Sequence, residues 1–446
     1  DILNDEPSTK SEVLSTCIKE GFTHKEYIRN SSEFAYLPNS INGYYFDEKI
    51  LKAFENATVE SRGFYAMQGI GFVSSSHFRA FYELTDDINY KHMYNGNPYS
   101  LFYTTYFDMT NWENDGIYVK AHRSYRSSNL NSQFLPGVCY GERGDILDMH
   151  FLKKGMFFTK EGLSIVNIEW NSALVLNSMF NSIYGQYFLN LYSGQHKWTG
   201  YTNLLPMPDY AIRQSDIERI INEIIDIKRW WFSLDETNLE YHGLVGQIMS
   251  SHHIEDSIDQ LQVKLTVDYN RYQNLVKQND DLWMDLAGIE EDSDFRATLN
   301  AYKSRRPYEE LLSIDGASSG NVINKQVMAQ EIVMELVGMA FGRWNIRYAA
   351  KPSTIPAFSD VFDPLPFMPV VSLKAEDAMA YPLTLPADGI LMGDNNHPDS
   401  LVKRVQEVMQ SLWPNNADEI ESELCQLIGV DSLQSYLESP NGFFDY

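Results

Sequence analysis

The chain has 446 residues, of which 43% are hydrophobic and 22% are charged, and its formal net charge at pH 7 is −26. This length and apolar content suffice for about two or three domains with sizeable cores. No apolar run reaches membrane-spanning length and no basic leader precedes an apolar one, so we expect a cytoplasmic protein without a membrane partner. Cys17, Cys139 and Cys425 lie far apart with no CxxC pair, which predicts reduced thiols and neither a disulfide framework nor a zinc site.

The first half of the chain has the texture of strands and loops. Residues 1–40 are polar, with a short helix predicted near residues 10–20, and we interpret them as a connector. Residues 41–210 contain short apolar and aromatic runs separated by Gly, Asn, Pro and Ser, a pattern typical of strands joined by turns. One helix is predicted over residues 171–192, because apolar residues recur there at near-helical spacing.

The second half is predicted to be helical. A capping-box pattern, Ser215 followed by Glu218, opens a predicted helix over residues 215–234. Further amphipathic helices are predicted over residues 258–285, 325–342, 403–413 and 418–429. Residues 352–386 are rich in proline, which favours a structured loop or an extended arm. The fold class is therefore predicted as α+β, with a β-rich domain at 41–210, a helical domain at 211–350, and an arm with C-terminal helices at 351–446.

The negative charge is concentrated outside the β-rich part. Residues 211–446 hold 18 Lys and Arg against 38 Asp and Glu, whereas residues 51–210 hold 12 against 14. Residues 117–200 hold 8 against 5, a net of +3. Because cations that neutralise phosphates supply much of the affinity for DNA, a weakly basic surface on an acidic body is compatible with DNA binding when another part of the protein adds positive charge.

Five segments carry a family resemblance through their order along the chain. They are residues 68–83, 110–116, 228–243, 335–349 and 387–400. In this order they resemble the carboxy-terminal half of a large type IIG-like N6-adenine DNA methyltransferase, the kind that includes the PglX proteins of BREX phage defence. The resemblance implies a target-recognition domain followed by a helical domain, with double-stranded DNA and other defence-system proteins as partners. It also implies that the catalytic half, with its S-adenosylmethionine, lies upstream.

The motifs that such an enzyme needs for catalysis are absent from this sequence. Gly69 and Gly71 form a Gly-x-Gly without a third glycine, which is a poor cofactor loop. The closest match to the catalytic Asn/Asp-Pro-Pro-aromatic turn runs from Asp363 to Phe367 and has Leu365 between its prolines. We therefore expect no catalytic, cofactor-binding or metal-ligating residues in this chain, and S-adenosylmethionine in a further domain.

Candidate DNA contacts are polar and basic side chains of the β-rich part. Arginine recognises guanine, and asparagine or glutamine recognises adenine, through paired hydrogen bonds in the major groove. The alternative for each is a solvated loop, a helix cap or a surface ion pair. The candidates are Gln68, Ser75, His77, Arg79, Lys120, Arg123, Tyr125, Arg126, Asn129, Gln195, His196 and Lys197.

Two further motifs are predicted to be architectural. Asn114, Asp115 and Gly116 favour a turn with positive φ. Lys228 and Arg229, with the acidic residues and His242 that follow, suggest an acid/base site, but their spacing places them at a helix end and in a loop. We interpret them as a junction between the two domains.

The competing functional class is a non-enzymatic module. An acidic helical domain could dock defence proteins or mimic DNA, and acidic stripes without a basic surface would favour that class. A clustered basic surface within residues 117–200 would favour DNA recognition instead.

Overall fold

A computed structural model describes residues 7–20, 30–37, 46, 48–71, 78–84, 89–106, 108–144, 146–192, 196–249, 252–309, 312, 314, 316–386, 388–394 and 396–444. The predicted α+β class is confirmed, with small sheets in the first half and helices in the second. Among the described residues, no helix combines the length and the apolar character needed to cross a bilayer.

Two small sheets lie in the first half of the chain. The first has the order β1-β3-β2-β6, in which β1, β3 and β2 are antiparallel and β6 runs parallel to β2. The second has the order β5-β4-β7 and is antiparallel throughout. The strands are β1 Phe78–Ala80, β2 Tyr90–Tyr94, β3 Asp108–Asn111, β4 Gly137–Gly141, β5 Met149–Leu152, β6 Phe157–Phe158 and β7 Gly162–Val166, followed far along the chain by the hairpin β8 Ser318–Ser319 and β9 Val322–Ile323.

Short helices surround the sheets. They are α1 Pro7–Glu20, α2 Glu48–Ala53, α3 Glu113–Ala121, α4 Trp170–Asn181, α5 Ile183–Tyr192 and α6 Thr199–Asn203. The single helix predicted over residues 171–192 is wrong, because Ser182 is extended between α4 and α5. Asp280 accepts a hydrogen bond from the Ile183 amide at 2.7 Å and so supports the start of α5. The apolar spacing did not reveal this break, since Met179 and Ile183 on either side are both buried.

The second half is helical, as predicted. Its helices are α7 Gln214–Phe232, α8 Val245–Ile248, α9 Ile254–Leu286, α10 Asp294–Tyr302, α11 Lys325–Phe341, α12 Ile346–Ala350, α13 Ala375–Ala378, α14 Leu401–Leu412, α15 Ala417–Ile428 and α16 Leu433–Glu438. The predicted helices 258–285, 325–342, 403–413 and 418–429 correspond to α9, α11, α14 and α15. Residues 352–386 form an arm with little regular structure, as the prolines predict.

The start of α7 shows where a local motif failed. The predicted capping box at Ser215 is wrong, because α7 begins at Gln214 and Ser215 is already helical. Gln214 donates to the Glu218 side chain at 2.8 Å, and Arg213 pairs with Asp216. The predicted apolar face is confirmed, since its residues are buried in the structure. They are Ile217, Ile220, Ile221, Ile224, Ile225 and Ile227.

One hydrophobic cluster passes through the boundaries predicted at residues 210 and 350. It includes Val138 of β4, Leu174 of α4, Ile221 of α7, Leu336 of α11 and Val405 of α14. Burial of apolar area is the main favourable contribution to folding. The strand-rich part is therefore packed directly on the helical part, and its loops project from a shared core.

Candidate nucleic-acid interface

An extended segment near Gln68 crosses the edges of both sheets. The Met67 amide donates to the Ser164 carbonyl of β7 at 2.9 Å, and the Ile70 amide donates to the Phe158 carbonyl of β6 at 3.0 Å. A Cβ atom on Gly69 would lie 1.9 Å from that Phe158 oxygen, so only glycine permits the approach. The contacts on either side hold Gln68 at the surface, where its side chain is exposed.

The loop that contains Arg126 and Asn129 lies against this segment. Gly71 and Arg126 exchange two backbone hydrogen bonds of 2.9 and 2.7 Å. The Asn129 side-chain amide donates to the Gln68 carbonyl at 2.8 Å. The structure thus brings Gln68 together with Arg126 and Asn129, which the sequence offered in a different segment.

The cations Arg123 and Arg126 are presented by a tightly held loop. Arg126 Nη1 donates to the carbonyls of Arg123 at 3.3 Å and Tyr125 at 2.8 Å. Tyr125 is half-buried against a cluster that includes Val119 and Phe157. Both arginines are exposed, and neither guanidinium is paired with a carboxylate within the part of the chain that the structure describes. Their charge is therefore available to a ligand.

The positive-φ turn predicted at Asn114 to Gly116 is confirmed, and it lies within the first residues of α3. Asn114, Asp115 and Gly116 have φ angles of 48°, 60° and 74°. The Lys120 ammonium pairs with Asp115 and lies 5.9 Å from the centroid of the Trp112 ring. The hydrogen bond from Lys120 lowers the pKa of the exposed Asp115 carboxyl. Lys120 is consequently a partly neutralised cation on the same surface as Arg123.

Arg79 lies on β1, at the outer edge of the first sheet. It is exposed, and its Nη1 donates to the Phe78 carbonyl at 2.7 Å. Phe78 packs in the same cluster as Tyr125. Three of the predicted contacts, Ser75, His77 and Gln195, lie outside the described residues.

His196 and Lys197 are placed differently from each other. His196 is exposed and forms a backbone bridge with Arg143. Lys197 is only 1% exposed, and its ammonium donates to the carbonyls of Arg143 at 2.5 Å and Ile146 at 2.8 Å. In this position Lys197 holds a loop together, and its charge faces carbonyl oxygens within the protein. We therefore leave Lys197 out of the surface defined below.

Sequence reasoning missed several exposed side chains beside these residues. The Lys160 amide donates to the Ile70 carbonyl at 3.1 Å, next to Gln68. Lys160 and Arg143 both pair with Glu161, at 3.5 and 3.0 Å. Aromatic residues in a strand-rich stretch look like core residues, yet the side chains of Tyr65, Tyr118 and Trp198 are more than half exposed.

These side chains form what we call the reading face. Contacts lead from His196, whose ring centroid lies 6.4 Å from that of Trp198, to Arg143, and through Glu161 to Lys160. The Lys160 amide contacts Ile70 in the Gln68 segment, which in turn contacts the loop at Arg126. Tyr65 and Tyr118 are included as exposed aromatic residues close in the chain to Gln68 and Lys120. Basic groups interleaved with aromatic ones can contact phosphates and stack on bases. The reading face comprises Tyr65, Gln68, Tyr118, Lys120, Arg123, Arg126, Asn129, Arg143, Lys160, His196 and Trp198.

The cations predicted at the domain junction are buried. The Lys228 ammonium donates to Ser100 Oγ at 2.6 Å, to the Leu101 carbonyl at 2.7 Å and to Glu309 Oε1 at 2.8 Å. Its residue is 2% exposed, and burial lowers its pKa. Since Lys228 belongs to α7 while Ser100 and Leu101 belong to the strand-rich part, these contacts support the architectural interpretation.

The surrounding groups extend this buried network. Arg229 pairs with Glu240 at 2.6 Å. Burial raises the pKa of Asp148 to about 7 and lowers the pKa of His150 to about 3. His150 is therefore neutral at pH 7 and donates from Nε2 to the Ser100 carbonyl. Titratable groups with shifted pKa values often mark active sites, but structural networks shift them as well, and Asp148, His150 and Lys228 are all buried.

Comparison with known proteins leaves the chain without an assigned family. A scan against protein-family models and a search of the curated proteins found no match.

Proposed function

We propose that this chain is the DNA sequence-recognition portion of an adenine-specific N6 DNA methyltransferase that acts in restriction-modification or phage defence. S-adenosylmethionine and the catalytic residues would belong to another part of the enzyme. The observation that supports the proposal is the convergence of Gln68, Arg126 and Asn129 through the backbone contacts of Gly71 and Gln68. Arg123 lies in the same loop as Arg126 and has no carboxylate partner among the described residues.

The chemistry of these side chains suits double-stranded DNA. Arg123 and Arg126 can each offer two parallel donors to the O6 and N7 atoms of guanine, and Gln68 and Asn129 can pair with adenine. Lys120, Lys160 and Arg143 carry charge suited to phosphate contacts, although two of them share Glu161. Phosphate contacts fix the register on the duplex, and base contacts supply the sequence preference.

The distribution of charge is consistent with this assignment. Residues 117–200 have 8 basic and 5 acidic residues, and the two buried lysines among them, Lys153 and Lys197, do not reach the surface. The exposed remainder is a modest basic surface. We therefore expect the chain alone to bind duplex DNA weakly and with a strong dependence on salt.

The methylome of the host cell tests the proposal. We expect deletion of the gene to abolish N6-methyladenine at a single asymmetric motif, since the enzyme would methylate one recognition sequence. The Arg123→Gln, Arg126→Gln double variant should lose or relax that motif, because each paired base contact contributes about 1–3 kcal/mol of discrimination. The control is Arg305→Gln, which changes an exposed arginine of the helical half.

Binding by the purified chain gives a second readout. The double variant should flatten the dependence of duplex affinity on salt by about one unit of slope for each phosphate contact that is lost. An unchanged methylome after deletion would refute the methyltransferase assignment, and an unchanged motif in the double variant would remove Arg123 and Arg126 from the reading face.

A further inference from the structure

Three exposed aromatic side chains lie at one end of the reading face, on and beside α6. Tyr65 and Trp198 are 56% and 54% exposed, and Tyr201 is 40% exposed. One exposed aromatic residue on a surface is common and needs no explanation. Several of them on neighbouring segments indicate a contact site instead. We call Tyr65, Trp198 and Tyr201 the aromatic platform.

A buried contact fixes α6, which carries two of these rings. Trp198 is the residue before α6, and Tyr201 lies within it. The Tyr201 amide donates to the Trp198 carbonyl at 2.9 Å. The next residue, Thr202, is buried, and its hydroxyl lies 2.7 Å from the Tyr140 hydroxyl of β4. Because this backbone is already held in place, contact between the two rings and a ligand costs little conformational entropy.

The third ring is joined to α6 through one side chain. Asn203 Oδ1, at the end of α6, accepts a hydrogen bond from the Ala66 amide at 2.7 Å. Tyr65 directly precedes Ala66, and Gln68 follows two residues later. Three residues span at most about 11 Å, so the Cα atoms of Tyr65 and Gln68 lie within that distance. One strand of DNA advances about 3.4 Å per nucleotide, and this distance therefore corresponds to about three stacked nucleotides.

Two cations link the platform to the rest of the reading face. The side chains of Arg143 and Lys160 are 77% and 47% exposed, and both pair with the single carboxylate of Glu161. The three side chains together keep one positive charge. Arg143 also forms a backbone bridge with His196, whose ring contacts that of Trp198. Cations beside exposed aromatic rings suit single-stranded nucleic acid, because they offer partners to both the phosphates and the bases.

Inside a duplex the faces of each base are covered by its neighbours, so a surface aromatic ring can stack only on a base that is unpaired or terminal. We propose that the aromatic platform binds an unpaired stretch of about three nucleotides that continues from the duplex held at Arg123 and Arg126. The chain then recognises a junction between double-stranded and single-stranded DNA. This inference rests on the proposed function, which supplies the duplex. No base preference is expected in the unpaired stretch, because every base has a face on which to stack.

Fluorescence anisotropy of labelled DNA with the full chain tests the junction. The probes are a blunt duplex, the same duplex with a three-nucleotide overhang at its 5′ or its 3′ end, and the same overhangs built from abasic sugars. We expect one of the natural overhangs to raise the affinity about tenfold, the factor that the stacking of one base contributes. The abasic overhang keeps the phosphates but offers no ring, and should lose most of this gain.

Variants of the platform test the stacking itself. In Trp198→Ala, the ratio of the overhang affinity to the blunt affinity should fall close to one, and Trp198→Phe, which keeps a ring, should restore most of it. Tyr65→Ala should lower the ratio by a smaller factor. Both residues are more than half exposed, so we expect their variants to fold. Tyr308→Ala is the matched control, because Tyr308 is 53% exposed and belongs to the acidic half.

The affinity ratio separates this inference from the proposed function. The Arg123→Gln, Arg126→Gln double variant should weaken binding of both duplexes and keep the ratio at about tenfold. Equal affinities for blunt and overhang duplexes, or an abasic overhang that binds as tightly as the natural one, would overturn the inference while duplex binding stands. An unchanged ratio in Trp198→Ala and Tyr65→Ala would also overturn it and assign the rings to a protein contact. Absence of binding to every duplex would overturn DNA recognition as well.

Discussion

The strand-rich and helical parts use arginine and lysine in opposite ways. On the reading face, Arg123 and Arg126 are exposed and have no carboxylate partner within the described residues. At the junction, Lys228 and Arg229 are buried, and each is paired with a glutamate. Local sequence does not separate the two sets, since both lie among aromatic residues. The difference shows that burial and pairing, which depend on the fold, decide whether a cation stabilises the protein or remains available to a ligand.

The largest expected effect comes from Lys228→Met. Removal of the ammonium takes one donor from the Glu309 carboxylate, whose side chain is only 12% exposed. We expect the free energy of unfolding to fall by about 3–5 kcal/mol, as for other broken buried pairs. Arg123→Gln, on the reading face, should change it by less than about 0.5 kcal/mol. Urea unfolding measures the free energy of unfolding of both variants. Equal losses would contradict the distinction between buried, paired cations and exposed ones.

A buried acid of the helical part should give a smaller, pH-dependent effect. Glu335 Oε2 accepts hydrogen bonds of 2.7 Å from the amides of Leu244 and Val245. Burial raises the pKa of Glu335 from 4.5 to about 7. The folded state then keeps a proton that the unfolded chain loses, so this stabilisation is complete below pH 4.5 and is lost as the pH rises to about 7.

Glu335→Gln isolates that contribution. When the pH is raised from 5 to 8, we expect the free energy of unfolding to fall in both proteins. Because glutamine does not ionise, it should fall by about 2–3 kcal/mol less in the variant than in the natural chain. Denaturant unfolding at a series of pH values measures the difference. Asp148, whose pKa burial also raises to about 7, is present in both proteins and cancels. Parallel pH profiles would show that Glu335 does not titrate in this range.

The smallest expected effect tests whether close packing at Gly69 positions the exposed Gln68 segment. Gly69→Ala places a methyl group against the Phe158 carbonyl, and such overpacking typically costs about 1–3 kcal/mol. Gly200→Ala is the control, because a Cβ atom there meets nothing within 4 Å. Thermal unfolding should separate the two variants. Weaker duplex binding by Gly69→Ala than by Gly200→Ala would show that the Gln68 segment must keep its path for the reading face to form.

The sequence predicted elements better than it predicted their ends and partners. The isoleucine spacing of α7 identified a buried face because a helix repeats every 3.6 residues. The same periodicity wrongly predicted α4 and α5 as one helix. It carries no information about the Asp280 carboxylate, which accepts a hydrogen bond from the Ile183 amide at the start of α5. Likewise, Ser215 and Glu218 matched a capping box, but side-chain pairs at Gln214 and Arg213 accompany an earlier start.

For the interface, candidate residues could be predicted from the sequence by their chemical type, but the fold determines which of them are exposed. Arg126, Asn129 and Gln68 were chosen for their hydrogen-bonding groups, and their convergence required contacts between residues about 60 positions apart. Lys197 was chosen for the same chemistry and lies buried among carbonyl groups. Tyr65 and Trp198 were overlooked because exposure of an aromatic side chain is not encoded in its neighbours.

By itself, the sequence determined the α+β class, the main helices, the acidity of the helical half and the positive-φ turn at Asn114 to Gly116. These features follow from composition, periodicity and backbone preferences that act over a few residues. Only the tertiary structure decided which cations are paired and which aromatic side chains are exposed. The physical reason is that burial and hydrogen-bond partners are set by segments distant in the chain, which meet only when the core forms.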